Sequence, residues 1–179
     1  APLTNVVIDI TSGDTGEATV DKASLTFTPA NWNLAQTIMV TGVDDVIVDG
    51  DQTTAVTLSI NAASSDNAFD SLPNQTVSVI TTDDDTAGFT VTPTSGLTTT
   101  EGGGTATFTV ALTSEPTADV TFTLSSSNTG EGTVLPASLT FTPGNWNAPQ
   151  TVVVSGVNDD VDDGDVVYTI VTDAAVSAD

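Results

Sequence analysis

The 179 residues of the chain include 24 acidic side chains and a single basic one, which gives a formal net charge of −23 at pH 7. This charge argues against nucleic acid and anionic membrane surfaces as partners, since both bind through Lys and Arg. The sequence has no Cys, which excludes disulfides and thiolate metal sites, and no His, the commonest general base. We therefore expect no enzyme and, without an apolar run near the roughly 20 residues of a membrane span, no direct membrane insertion.

The predicted secondary structure is a succession of short β-strands. Val, Ile, Leu and Thr are frequent, and apolar and polar residues alternate in many segments, which is typical of strands. The clearest alternation is that of Ala106, Phe108, Val110 and Leu112, which predicts an apolar face directed into a core. In chain order the predicted strands are residues 5–11, 24–28, 36–41, 53–60, 75–82, 88–93, 105–112, 119–125, 138–142, 150–155 and 165–172.

The chain repeats itself at a fixed offset of 114 residues. Residues 24–33, Ser-Leu-Thr-Phe-Thr-Pro-Ala-Asn-Trp-Asn, return as residues 138–147 with only Ala changed to Gly. An acidic block at residues 42–51 returns at residues 156–165. A period of this length corresponds to a whole domain with several strands and not to a solenoid turn, so it predicts tandem antiparallel β-sandwiches.

The repeat divides the chain into two predicted domains, residues 1–85 and 86–179. Pro2 aligns with Pro116, so we expect the first domain to lack its opening strands. The second domain ends before a counterpart of residues 75–82, so we expect it to lack its closing strand. Both copies are then incomplete at the chain ends, and neighbouring repeats or chains of the same protein are expected to contact the open edges.

Four motifs accompany the repeat. They are Phe-Thr-Pro-x-Asn-Trp, Gln-Thr-x-x-Val, the acidic block Gly-Val-(Asp/Asn)-Asp-x-x-x-Asp-Gly-Asp, and the triplet Asp83-Asp84-Asp85. Together they resemble the Calx-beta family, whose modules are named from sodium/calcium exchangers and integrin β4 and recur in long secreted and surface proteins of bacteria. The resemblance implies tandem immunoglobulin-like β-sandwiches that bind several Ca²⁺ ions at one end.

The resemblance also implies which residues bind the ions. An early Glu of the family is similar to Glu101, and an acid between the second and third strands is similar to Glu17 and Glu131. The first copy lacks its own early Glu and the second lacks its own triplet, while Asn158 replaces an acid and should weaken the second site. The remaining implied ligands are Asp44, Asp45, Asp49 and Asp51 in the first acidic loop, Asn158, Asp159, Asp163 and Asp165 in the second, and Asp83, Asp84 and Asp85 in the triplet.

The chemistry of the first acidic loop is also consistent with calcium. Ca²⁺ takes six to eight oxygen ligands, and residues 44–51 offer several carboxylates and the Ile47 carbonyl within a short arc, with Gly50 permitting a tight turn. Adjacent carboxylates repel each other, and a bound cation converts that cost into attraction. The alternatives are a solvated acidic turn or adaptation to high salt, although the latter predicts acids scattered over the surface.

These observations predict a calcium-binding structural repeat of a long extracellular or cell-surface protein. Such a repeat would serve as a stalk, an adhesin spacer or a subunit of a surface filament. Its expected partners are calcium ions and neighbouring repeats or chains. The alternative is a carbohydrate- or ligand-binding module in which Trp32 and Trp146 stack on sugars, although both tryptophans can equally pack against a sandwich core.

Overall fold

The computed structural model describes residues 1–161 and 164–179, which form two compact units. The first unit contains Ala1–Asp45 and Asp49–Asp83, and the second contains Val46–Val48 and Asp84–Asp179. The predicted all-β class is confirmed, since the described residues form β-strands and one short 3-10 helix at Ala62–Ser64, with no α-helix among them. All pairings between the strands are antiparallel.

The first unit is built around a four-stranded sheet with the strand order β3-β1-β5-β6, while β2 and β4 pair separately. Ile10, Leu25 and Val56 are buried in its small core, and Val79 packs against them. The strands are β1 (Val6–Ser12), β2 (Ala18–Val20), β3 (Ser24–Phe27), β4 (Val40–Gly42), β5 (Gln52–Ile60) and β6 (Gln75–Thr81).

The second unit contains two sheets. One has the order β10-β12-β8-β7, and the other has the order β11-β9-β13, with β14 also pairing with β9. The strands are β7 (Phe89–Thr92), β8 (Thr105–Leu112), β9 (Val120–Ser126), β10 (Gly132–Leu135), β11 (Ser138–Phe141), β12 (Gln150–Gly156), β13 (Ile170–Thr172) and β14 (Val176–Ser177).

The core of the second unit lies between its two sheets. Alternate residues of β8 and β12 meet alternate residues of β9 and β11, as expected when each strand directs every second side chain inward. The arrangement is sandwich-like, and the predicted apolar face of β8 is confirmed at its centre. The buried residues are Phe108 and Val110 of β8, Val152 and Val154 of β12, Phe122 and Leu124 of β9, and Leu139 and Phe141 of β11.

The repeated Phe-Thr-Pro-x-Asn-Trp motif forms the same turn in both units. The side-chain oxygen of Asn31 accepts a hydrogen bond from the backbone N–H of Thr28, and Asn145 does the same for Thr142. In each copy the motif follows a strand that packs on the core, and the Asn side chain takes the place of a backbone acceptor. The strict repetition of this motif is therefore explained by turn geometry.

Two strands are at most half as long as the sequence predicts. The predicted strand at residues 36–41 forms only at Val40–Gly42, whereas its repeat equivalent is the seven-residue strand β12. In the second unit β12 pairs with both β8 and β10, whereas β4 pairs only with β2 among the strands that the structure describes. The predicted strand at residues 165–172 forms only at Ile170–Thr172. Among the described strands β13 pairs only with β9, whereas its equivalent β5 pairs with both β1 and β6.

Candidate functional site

Glu17 lies where the short β2–β4 pair meets the first acidic loop. It directly precedes β2, and the pairing of Ala18 with Gly42 sets it beside the end of β4. Its backbone carbonyl accepts hydrogen bonds from the Val43 N–H at 2.8 Å and from the Thr81 hydroxyl at 2.9 Å. The half-buried Glu17 is therefore fixed between the start of the acidic loop and the end of β6.

The other end of the acidic loop is joined to Asp83. One carboxylate oxygen of Asp83 accepts a hydrogen bond from the Gly50 N–H at 2.7 Å, and the Asp83 N–H donates to the Asp51 carboxylate at 3.1 Å. The cause is sheet register, since Gln52 at the start of β5 pairs with Thr81 at the end of β6. Gly50 has a φ of 75°, a left-handed conformation that glycine adopts without strain.

The electrostatic surroundings of Glu17 show how closely these acids gather. Partial burial raises the pKa of the Glu17 carboxyl, and the negative charges of four aspartates raise it further. The structure thus brings Glu17 together with three acids that the sequence predicted as ligands and with one that it did not. In decreasing order of effect, the four aspartates are Asp49, Asp45, Asp14 and Asp83.

Replacement of Glu17 with glutamine is expected to stabilise the first unit in chelator-treated buffer at neutral pH. Because folding raises the pKa of the Glu17 carboxyl, the protonated carboxyl favours the folded state below the unfolded pKa of 4.5. This contribution to stability is lost as the pH rises through the folded pKa and the carboxyl ionises. The higher melting temperature of Glu17→Gln should therefore be evident at pH 7 and disappear below about pH 4. Thermal melts across this range test it, with Asp70→Asn, an exposed acid outside the cluster, as the charge control.

Several predicted ligands of the first copy lie outside this gathering. Ile47 pairs with Glu115 in an isolated β-bridge within the second unit, which also contains Asp84 and Asp85. Asp44 is exposed in the loop. Within residues 1–161 and 164–179, no three acidic side chains are close enough together to hold a metal ion. The acids around Glu17 therefore lie near one another but do not form a coordination sphere for a metal ion.

The second unit repeats the geometry around Glu17. The Glu131 carbonyl accepts a hydrogen bond from the Val157 N–H at 3.0 Å, which is the equivalent of the Glu17–Val43 bond. The turn that carries Glu101 lies against the same point, because the Gly156 N–H donates to the Gly104 carbonyl at 3.0 Å. A side chain at position 156 would clash with this turn, since an added Cβ would meet backbone atoms of Thr100.

The acids of the second unit border a cleft of about 1360 Å³. Glu101, Glu131 and Asp165, all predicted from the sequence, lie along it together with Asp160, which was not predicted. Asn158 and Asp159 are exposed in the loop before it, and the Asp159 carboxylate accepts a hydrogen bond from the Val161 N–H. The predicted ligand Asp163 lies outside the described residues.

Sequence reasoning missed Asp14 and Asp160 for a common reason. Both residues fail to recur at the repeat offset, where Asn128 and Val46 stand instead. A search guided by repetition discards such positions. The available signal for Asp14 was local, because Asp-Thr-Gly before Glu17 is a typical turn sequence, and its carboxylate does accept the Gly16 N–H at 2.9 Å.

The two tryptophans differ in exposure although they occupy equivalent positions. Trp32 is 49% exposed, whereas Trp146 is half-buried and its carbonyl accepts a hydrogen bond from the Leu112 N–H of β8. The exposure of Trp32 is what the carbohydrate-binding alternative predicts, whereas the partial burial of Trp146 is what packing on a core predicts. Stacking of either ring on a sugar stays a prediction.

Comparison with known proteins assigns no role to these acids, so their interpretation depends on the geometry of the site. A scan against protein-family models finds no match, and a search of curated proteins finds no significant similarity. Among the described residues, no helix is long and apolar enough to cross a membrane.

Proposed function

We propose that the chain is a calcium-binding structural repeat of an extracellular or cell-surface protein, serving as a stalk, spacer or filament subunit. One observation carries the proposal, the hydrogen-bond network that holds Glu17, the acidic loop and Asp83 together in the first unit. The strands fix the backbone of this network, so the carboxylates are gathered at the cost of mutual repulsion. A cation among them removes that cost.

Calcium fits this arrangement better than other divalent cations. The available donors are carboxylates and backbone carbonyls, which are hard oxygen ligands, and the composition offers neither His nor Cys for zinc or copper. Magnesium requires near-ideal octahedral geometry, whereas calcium accepts six to eight oxygens in an adaptable arrangement. Rotation about the side-chain torsions of Asp45, Asp49 and Glu17 would bring their oxygens to the ion while the backbone stays in place.

An extracellular location follows from the proposed affinity. A site assembled from exposed and half-buried acids, without a preformed coordination sphere, is expected to bind weakly, with a Kd on the order of 10⁻⁴ to 10⁻³ M. Extracellular modules work in this range of affinity. The structural role is supported by the repeat, since equivalent turns and equivalent Glu carbonyl contacts recur in both units.

Calcium titration of the full chain by isothermal calorimetry tests the proposal. We expect saturable binding that weakens about tenfold in Asp49→Asn, because the variant removes one ligand charge from the cluster. Asp70→Asn removes the same charge from an exposed turn of the same unit and should bind calcium as the parent chain does. Equal weakening in both variants would reduce the effect to general charge, and the absence of saturable binding would overturn the proposal.

A further inference from the structure

Asp49 and Gly50 of the first acidic loop form a dipeptide that is able to rearrange chemically. Both residues are exposed, and a glycine has no Cβ to shield its nitrogen. In an Asp-Gly sequence the glycine nitrogen can attack the side-chain carboxyl of the aspartate. A C–N bond then forms, a succinimide ring closes, and the carboxyl oxygen and the amide proton leave as water. When water adds back to the ring, it opens to aspartate or to isoaspartate, in which the main chain runs through the side chain.

Both polar atoms of the Asp49–Gly50 peptide group are held by hydrogen bonds. The Gly50 N–H donates to the Asp83 carboxylate at 2.7 Å, and the Gln52 side-chain amide donates to the Asp49 carbonyl at 2.9 Å. Ring closure requires the nitrogen to lose its proton and the peptide plane to turn toward the Asp49 side chain. The two hydrogen bonds oppose that rotation because they fix the plane from both of its polar ends.

The bond to Asp83 is the stronger of these two restraints. It joins an N–H to an ionised carboxylate at short range, and such charge-assisted bonds are about twice as strong as neutral ones. The sheet holds Asp83 in position, since Thr81 at the end of β6 pairs with Gln52. Packing contributes little, because a Cβ added at Gly50 would meet no described atom within 4 Å. The reactivity of this peptide group therefore depends on a single side chain from another strand end.

We propose that Asp49 is a site of isoaspartate formation and that the Asp83 carboxylate keeps it unmodified in the folded chain. Isoaspartate inserts one carbon into the main chain before Gly50, so the Gly50 N–H could not return to Asp83 in the same register. The modified loop would therefore stay open. A loss of calcium affinity would accompany the change, since Asp49 lies among the acids around Glu17; this consequence alone rests on the proposed function.

Incubation of the full chain at neutral pH with chelator, followed by peptide mapping with electron-transfer fragmentation, tests the proposal. This fragmentation distinguishes isoaspartate from aspartate, which has the same mass. We expect isoaspartate at position 49 to accumulate about tenfold faster in Asp83→Ala than in the parent chain, because a hydrogen bond to a charged group is lost. Asp83→Asn keeps an oxygen acceptor without the charge and should react at an intermediate rate. Equal rates in the parent and Asp83→Ala would overturn the proposal, and so would a slower rate in Asp83→Ala, since the carboxylate would then be a base that activates the nitrogen.

Two further variants separate this hydrogen bond from its surroundings. Thr81→Ala removes the hydroxyl that bonds the Glu17 carbonyl at the same end of β6, and it should react at nearly the parent rate. Equal acceleration in Thr81→Ala and Asp83→Ala would assign the effect to a loosened strand end and overturn the role of Asp83. Asp49→Asn gives a faster readout, because the same ring closure releases ammonia and changes the mass, and adding Asp83→Ala should again accelerate it about tenfold. Since chelator is present throughout, a failure of calcium binding would not alter these outcomes.

Discussion

Replacement of Phe141 with alanine is expected to destabilise the second unit by about 3–5 kcal/mol. Phe141 is completely buried, and its ring meets that of Phe122 in an edge-to-face contact with centroids 6.2 Å apart. Truncation would remove this contact between neighbouring strands of one sheet and leave a cavity in the core between the two sheets. Since whole domains are stable by only about 5–15 kcal/mol, the variant should unfold at much lower urea concentrations.

The repeat provides a matched control for this substitution. Phe27 occupies the equivalent position in the first unit but is only half-buried, so Phe27→Ala should cost clearly less. Urea unfolding of each variant, followed by tryptophan fluorescence, measures both losses in the full chain. Removing Trp32 or Trp146 in turn assigns the signal to one unit. Equal losses would show that the two cores are equally well packed, contrary to the structure.

The strand positions could be predicted from sequence where alternation is long enough, but strand length could not. Residues 105–112 form β8 with the predicted limits, because the segment has partners on both sides. Residues 36–41 have the same chemistry and form a strand at only two of those positions. Strand length is decided by hydrogen-bonding partners elsewhere in the chain, which a local pattern does not contain. The strands β2, β10 and β14 were missed because two to four residues show no alternation.

The candidate site was predictable in part of its membership and not in its geometry. The resemblance implied Glu17, Asp45, Asp49 and Asp83 as members of one site, and the structure brings them together, but it places Asp44, Asp84 and Asp85 elsewhere and adds Asp14. It could not reveal that the Asp83 carboxylate is used to hold Gly50, because that contact follows from the register of β5 and β6. Such register depends on the whole sheet.

Calcium is expected to raise the stability of the first unit by about 2.7 kcal/mol when its concentration exceeds the Kd by 100-fold. For a Kd near 10⁻⁴ M this corresponds to about 10 mM calcium, and for a unit of this size to an increase in melting temperature of about 10–20 °C. The reason is mass action, since the unfolded chain does not hold the loop and Asp83 together. Thermal melts with calcium and with chelator, at constant ionic strength, measure the difference.

Sodium chloride separates site binding from general screening in the same experiment. With 24 acids and one base, self-repulsion opposes folding, and any salt relieves it by screening. If repulsion alone opposed folding, sodium chloride at matched ionic strength would stabilise the chain as much as calcium does. Asp49→Asn would then be at least as stable as the parent chain in every buffer. If the acids around Glu17 bind the ion, Asp49→Asn should gain stability in chelator and lose it, relative to the parent, in calcium. This reversal of sign requires a cation held by the cluster, because screening acts on both chains in the same direction.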